Sequence, residues 1–171
     1  MEAERKEISA SIGLLILRLG VSGYLITHGW GKVQMLLSGG AEKFGDPIGL
    51  GSTLSLVLVT MSEFLCALLI ILGLGTRLAA IPVVISMSVA AFVIHAANPW
   101  TMEAAAKAFF SGASKDWFSK EPALLYLIPF LSLVFTGGGK FSLDGLISMR
   151  WKSRQATEQR KIERTEKRPA A

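Results

Sequence analysis

The chain has 171 residues, 51% of them hydrophobic and 18% charged, with a mean hydropathy of +0.46. An average soluble domain carries about 25% charged residues, so the composition argues against an ordinary soluble domain and favours lipid as the solvent for much of the chain. The net charge of +5 does not indicate nucleic acid, because residues 150–171 alone hold eight basic and three acidic side chains, and no basic patch interleaved with aromatics occurs elsewhere.

A single cysteine, Cys66, lies in an apolar run, which excludes an intrachain disulfide; there is no CxxC and no CxxCH haem-attachment motif. Met1–Glu7 mixes three glutamates with Arg5 and Lys6, and Arg18 interrupts the apolar run that follows. The start therefore reads as a first membrane helix rather than a signal peptide. Four spans are expected, at about 8–33, 50–74, 78–97 and 118–136. Each must be helical, since every backbone N–H and C=O in lipid needs a partner within the segment. The first carries Gly23, Thr27 and Gly31 at four-residue spacing, which predicts a close helix–helix seam.

Residues 98–121 are long for a simple connection, and Phe109, Phe110, Trp117 and Phe118 suit an interfacial helix or a lid. Gly137-Gly138-Gly139 stops the fourth span. The following Lys140-Phe141-Ser142 does not make a phosphate loop, which needs a longer glycine-rich loop and Ser or Thr directly after Lys. Ser142 is expected to cap a last helix, with Asp144 serving that helix's N-terminus or pairing with Arg77. The fold class predicted is an all-α integral membrane protein. Residues 1–149 form a four-transmembrane-helix bundle, with an interfacial segment between helices 3 and 4, and residues 150–171 form a basic cytoplasmic tail drawn to anionic lipid. With both termini on one side, that side holds twelve Lys and Arg and the other five. Basic loops stay inside, so both termini are expected in the cytoplasm.

Ionisable residues inside spans are costly, about 3 kcal/mol at mid-bilayer on insertion scales. Arg18 and Glu63 are the two clearest. At about 1.5 Å per residue, counted from Ile8 and Ser52, they fall at one depth on adjacent antiparallel helices. The expectation is a structural ion pair between Arg18 and Glu63, serving either as a register clamp or as part of a binding or proton path. The same arithmetic brings His28, Lys32, His95 and Glu121 to the far end of the bundle. The two histidines read either as interfacial residues or as proton-relay groups, with Glu121 sharing that work; two His and one Glu could also hold a metal, but no local spacing motif supports one.

Taken together, these residues resemble the DoxX family of small four-helix membrane proteins. The resemblance covers about Ile12 to Ile147. It rests on Leu17-Arg18 followed by His28-Gly29 and Lys32; on Glu63 followed by Gly73-Leu74 and Thr76-Arg77-Leu78-Ala79-Ala80; on His95; on Glu121 before Leu124-Leu125; and on the run Gly137 to Asp144. The chain departs from the family pattern at Cys66-Ala67 and Gly138, and its 98–121 segment is its own. The resemblance implies a subunit of quinone-linked oxidation, related to the small subunit of thiosulfate:quinone oxidoreductase. Quinone is then the expected cofactor, with no haem or iron–sulfur motif and no metal site. His28, His95 and Glu121 would be the catalytic groups. Arg18, Lys32, Glu63, Tyr24 and Trp30 would contact quinone. The partners expected are the bilayer, a redox subunit that supplies electrons, and a second copy of the chain. Two other readings stand beside this one: a non-enzymatic membrane anchor or assembly scaffold, and a small-solute or proton transporter.

Overall fold

The computed structural model describes residues 1–166. Among them there are six α-helices and no strand. α1 is Glu2–Leu37, α2 Ser52–Leu72, α3 Thr76–Ile94, α4 Met102–Phe110, α5 Glu121–Thr136 and α6 Leu143–Glu166. α1, α2 and α3 are long and apolar enough to cross a membrane, while α5 is apolar but shorter at 16 residues. Three of the four expected spans are thus met by helices of membrane length, and the expected fourth contains the shorter α5. α4 and the tail helix α6 are additions to that count, and residues 167–171 of the expected tail lie outside the described residues.

α1 runs for 36 residues, about 54 Å at helical rise, against about 30 Å of hydrocarbon. Its buried residues are Ser11, Arg18, Ser22, Leu25 and Gly29, steps of seven, four, three and four that keep one stripe toward the bundle. The seam expected from Gly23, Thr27 and Gly31 faces outward instead: all three are exposed, and a Cβ on either glycine would meet nothing within 4 Å. The close approach is made by Gly29, where a Cβ would sit 2.7 Å from the Glu63 carbonyl group of α2. Four-residue spacing marked the wrong face because a helix carries small residues on more than one stripe, and only packing selects between them.

The core is Leu25 of α1, Ala67 and Ile70 of α2, Ala79, Ala80, Val83 and Met87 of α3, and Phe130 and Leu133 of α5. The small alanines on α3 allow α5 to lie closely along it. α1 packs chiefly on α2 and only sparingly on α5, which leaves a groove between α1 and α5. Two segments widen to π-helical pitch, Met61–Cys66 around Glu63 and Ala90–Ile94 just before His95. Such widened turns concentrate at functional sites, and no sequence pattern announces them.

At the end of the bundle that holds α6, α2 closes with Gly73 in the left-handed region at φ +71°, its N–H donating to Ile70 O at 3.0 Å. A Cβ there would overlap the Arg18 guanidinium, so both backbone and space demand glycine. Ser142 caps α6 as expected, accepting from Gly145 N–H at 3.0 Å. Asp144 does not serve its own helix and does not pair with Arg77. Its carboxylate accepts from Gly75 N–H at 2.8 Å and Thr76 N–H at 2.9 Å, capping the N-terminus of α3, while its own N–H donates to Gly73 O at 2.9 Å.

Candidate functional site

Glu63 is nearly buried on the widened turn of α2, and its carboxylate pairs with Lys32 Nζ of α1 at 2.5 Å. Arg18 does not reach it. The guanidinium is fully buried and donates to Ile70 O at 3.4 Å and Phe141 O at 2.5 Å, tying α1 to the end of α2 and to the start of α6. The expected Arg18–Glu63 pair is therefore replaced by Lys32–Glu63. The cause is register. With Gly29 against Glu63, Arg18 lies eleven residues back along α1, about 16 Å, level with Gly73. The first turns of α1 extend beyond that level, where Glu7 pairs with Lys140 at 2.8 Å and Ser11 Oγ accepts from Lys140 N–H at 3.2 Å. Counting depth from Ile8 placed the helix about ten residues out of register.

The groove between α1 and α5 has a volume of about 630 Å³. Ile16, Leu17, Val21 and Leu125 give it apolar walls, and Tyr24, His28, Glu121 and Tyr126 bring polar groups to it. The His28 ring meets Tyr126 edge-on, with centroids 6.0 Å apart. Tyr24, His28 and Lys32 follow one another at four-residue spacing, so one face of α1 carries all three. Glu121 Oε2 accepts from Met102 N–H at 2.6 Å, which anchors the first turn of α4 at the mouth of the groove, where Met102 itself forms part of the lining.

The structure thus brings His28, Glu121 and Tyr24 to one groove and leaves other expected site residues outside it. His95 ends the widened turn of α3, and its ring lies against Phe118 at 5.9 Å. Trp30 packs on Phe64 at 5.9 Å, away from the groove. Lys32 turns to Glu63, and Arg18 to backbone carbonyls. Sequence reasoning missed Tyr126 and Met102. Tyr126 is one aromatic in an apolar run, and nothing local distinguishes it from a packing residue. The 98–121 segment folds as α4 with its two flanks held to each other: Asn98 Nδ2 donates to Phe118 O at 3.0 Å, Lys120 N–H donates to Pro99 O at 3.0 Å, and Lys120 Nζ lies 4.8 Å from the Trp100 ring centroid.

A groove open between α1 and the shorter α5, with apolar walls and an imidazole, two phenols and a carboxylate along it, suits a flat amphipathic ligand with hydrogen-bonding oxygens and an apolar body. Comparison with known proteins agrees with a small helical membrane protein. The DoxX family model matches residues 13–96. An uncharacterized protein of Haemophilus influenzae is 34% identical over 134 residues, 77% of this chain and 87% of that one. The inner membrane protein YqjF of Escherichia coli is 29% identical over 140 residues, 82% of this chain and 95% of that one. No solved structure matches the chain. The matched segment holds Arg18, His28, Lys32, Glu63 and His95, and the chain belongs to the DoxX family of membrane proteins.

Proposed function

We propose that this protein binds a quinone headgroup in the groove between α1 and α5 and takes part in quinone-linked oxidoreduction with a partner subunit. The observation that carries this reading is the meeting of His28, Tyr126 and Glu121 along one apolar groove. A quinone carries two electrons and two protons when it is reduced, and the electrons come from the partner. The work of this chain is to hold the headgroup and manage protons. His28 donates a hydrogen bond to a headgroup oxygen or takes its proton. Tyr24 and Tyr126 fix the ring by edge and face contacts. Ile16, Leu17, Val21 and Leu125 hold the isoprenoid side near lipid, and Met102 closes the mouth.

In this reading the chain crosses the inner membrane four times. α5 is completed by the preceding turn with Trp117, Phe118 and Lys120, whose aromatic and basic side chains suit the interface. Both termini lie in the cytoplasm, in keeping with the basic residues of α6. The Escherichia coli relative, an inner membrane protein, supports the compartment.

The test is co-purification. Protein extracted in mild detergent is expected to carry quinone near one per chain by mass spectrometry, and to lose most of it in His28→Ala and in Tyr126→Ala, while His95→Ala retains it. Absence of quinone from the unaltered protein overturns the reading and turns attention to an anchor role, which deletion of residues 151–171 and partner pull-down would then examine.

A further inference from the structure

α6 begins at the end of the bundle where α2 and α5 stop. Asp144 N–H donates to Gly73 O, and a Cβ at Gly145 would stand 2.7 Å from Gly139 O and Lys140 O. The first turn of α6 is thus clamped to the glycine turns that close two apolar helices, at the edge of the hydrocarbon. Two kinds of exposed side chain then follow in order. Leu146, Ile147, Met149 and Trp151 are each about half exposed or more, and no large apolar residue occurs from Lys152 to Lys161. Basic groups start where the apolar ones end: Arg150, Lys152 and Arg154, with no acidic residue between Asp144 and Glu158. Among the described residues none of these three side chains makes a hydrogen bond or an ion pair, whereas Glu158 is engaged by Lys161 at 3.7 Å.

The order of these groups matches the layers of a membrane surface. Ile147, Arg150, Trp151 and Arg154 lie three, one and three residues apart, so they share one helix face, and Gln155 and Glu158 complete a shallow furrow along it. Trp151 comes eight residues after Leu143, about 12 Å along the axis. The headgroup layer is roughly 5–8 Å deep on each side. A helix standing upright would carry Trp151 through that layer and leave its indole in water. Lying along the surface, α6 keeps Leu146, Ile147 and Trp151 at the acyl boundary, where tryptophan is favoured. The arginines then lay their stems on the apolar stripe and lift their guanidinium groups, each able to take two phosphate oxygens at once.

We propose that the stretch Leu146–Arg154 of α6 is a binding site for acidic phospholipid, in which Arg150 and Arg154 hold the headgroup phosphate and Trp151 seats the site at the acyl boundary. Attraction of the basic tail to anionic lipid is a diffuse effect of net charge; α6 gives it a place, because the furrow joins two unpaired guanidinium groups to exposed apolar surface. That combination fits a lipid better than a free anion, which has no use for Ile147 and Trp151. The site lies next to Asp144, which caps α3, and Phe141 O, which receives Arg18, so lipid held there steadies the end of the bundle. The proposal uses neither the groove nor its ligand.

The experiment places the full chain in nanodiscs of phosphatidylcholine with increasing phosphatidylglycerol, one lipid or the other being brominated near the headgroup end of its chains. Trp151→Phe is run alongside, and the fluorescence lost between the two proteins is that of Trp151. Brominated phosphatidylglycerol is expected to quench Trp151 at a lipid fraction on the order of tenfold lower than brominated phosphatidylcholine. Arg150→Gln with Arg154→Gln, on an exposed face, should abolish that preference. Equal quenching by both lipids would overturn headgroup recognition. Quenching by acrylamide and by neither lipid would put α6 in water and overturn the site. A preference erased by millimolar inorganic phosphate would assign the arginines to a free anion and overturn the lipid.

Discussion

Gly29 of α1 lies against the backbone of Glu63 on α2 with no room for a side chain: a Cβ at position 29 would stand 2.7 Å from both the carbonyl carbon and the carbonyl oxygen of Glu63. The neighbour is main chain and cannot rotate away. Gly29→Ala is therefore expected to destabilise by about 1–3 kcal/mol, the usual range for overpacking, and to weaken the Lys32–Glu63 contact one turn away. Gly31→Ala, with open space around it, should be neutral or slightly stabilising, as alanine is the better helix former. Thermal unfolding in detergent compares the two; equal losses would rule out the close approach.

Lys32 and Glu63 form one unit, so their substitutions should not add. Lys32→Met alone leaves a buried carboxylate without its partner and is expected to cost about 3–5 kcal/mol. Lys32→Met with Glu63→Met removes both charges and should recover much of that loss. A double-mutant cycle measured by denaturation gives the coupling. Pairing Glu63→Met with Arg18→Met should instead give simple addition, because the Arg18 partners are Ile70 O and Phe141 O.

Arg18 joins three elements through backbone carbonyls that no other side chain serves. Arg18→Met strips two charge-assisted hydrogen bonds and is expected to cost about 3 kcal/mol. Arg18→Lys should rescue little, since one ammonium cannot reproduce the geometry of the guanidinium fork. Proteolysis at the α2–α3 turn would report the loosened end. A lysine variant as stable as the unaltered protein would contradict the two-carbonyl bridge.

Asp46 lies outside the helices, in the connection between α1 and α2. Its carboxylate accepts from Gly51 N–H at 2.8 Å and Leu50 N–H at 2.9 Å, and from Ser55 Oγ at 3.0 Å. The Gly51 hydrogen bond comes first in holding it below the usual carboxylate range. A carboxylate depressed on folding adds stability above its unfolded value, and that stability is lost as pH falls through the folded value. Asp46→Asn should therefore lower the melting temperature at neutral pH, and the difference should shrink below about pH 4. A gap that persists in acid would assign the effect to lost packing.

Much of the architecture was legible in the chain. The apolar runs, the glycine stops at Gly73 and Gly137, and the cap at Ser142 follow from local chemistry, because lipid forces helices and polar backbone forces caps. The candidate site was legible only in part. His28 and Glu121, named from depth, and Tyr24, named from the family resemblance, do meet in one groove, whereas His95 and Trp30 turn elsewhere. Depth along a span says nothing of the angle around the helix, and that angle separates the groove from the lipid face.

The composition and hydropathy of the sequence by themselves determined a membrane-spanning helical protein, since nothing else satisfies the backbone of such runs in lipid. Only the tertiary structure decided which charges meet. α1 is longer than the membrane is thick, so counting from its ends fixes no register. The register is set where Gly29 lets the two backbones touch, and that contact hands Glu63 to Lys32 and sends Arg18 to the turn at Gly73.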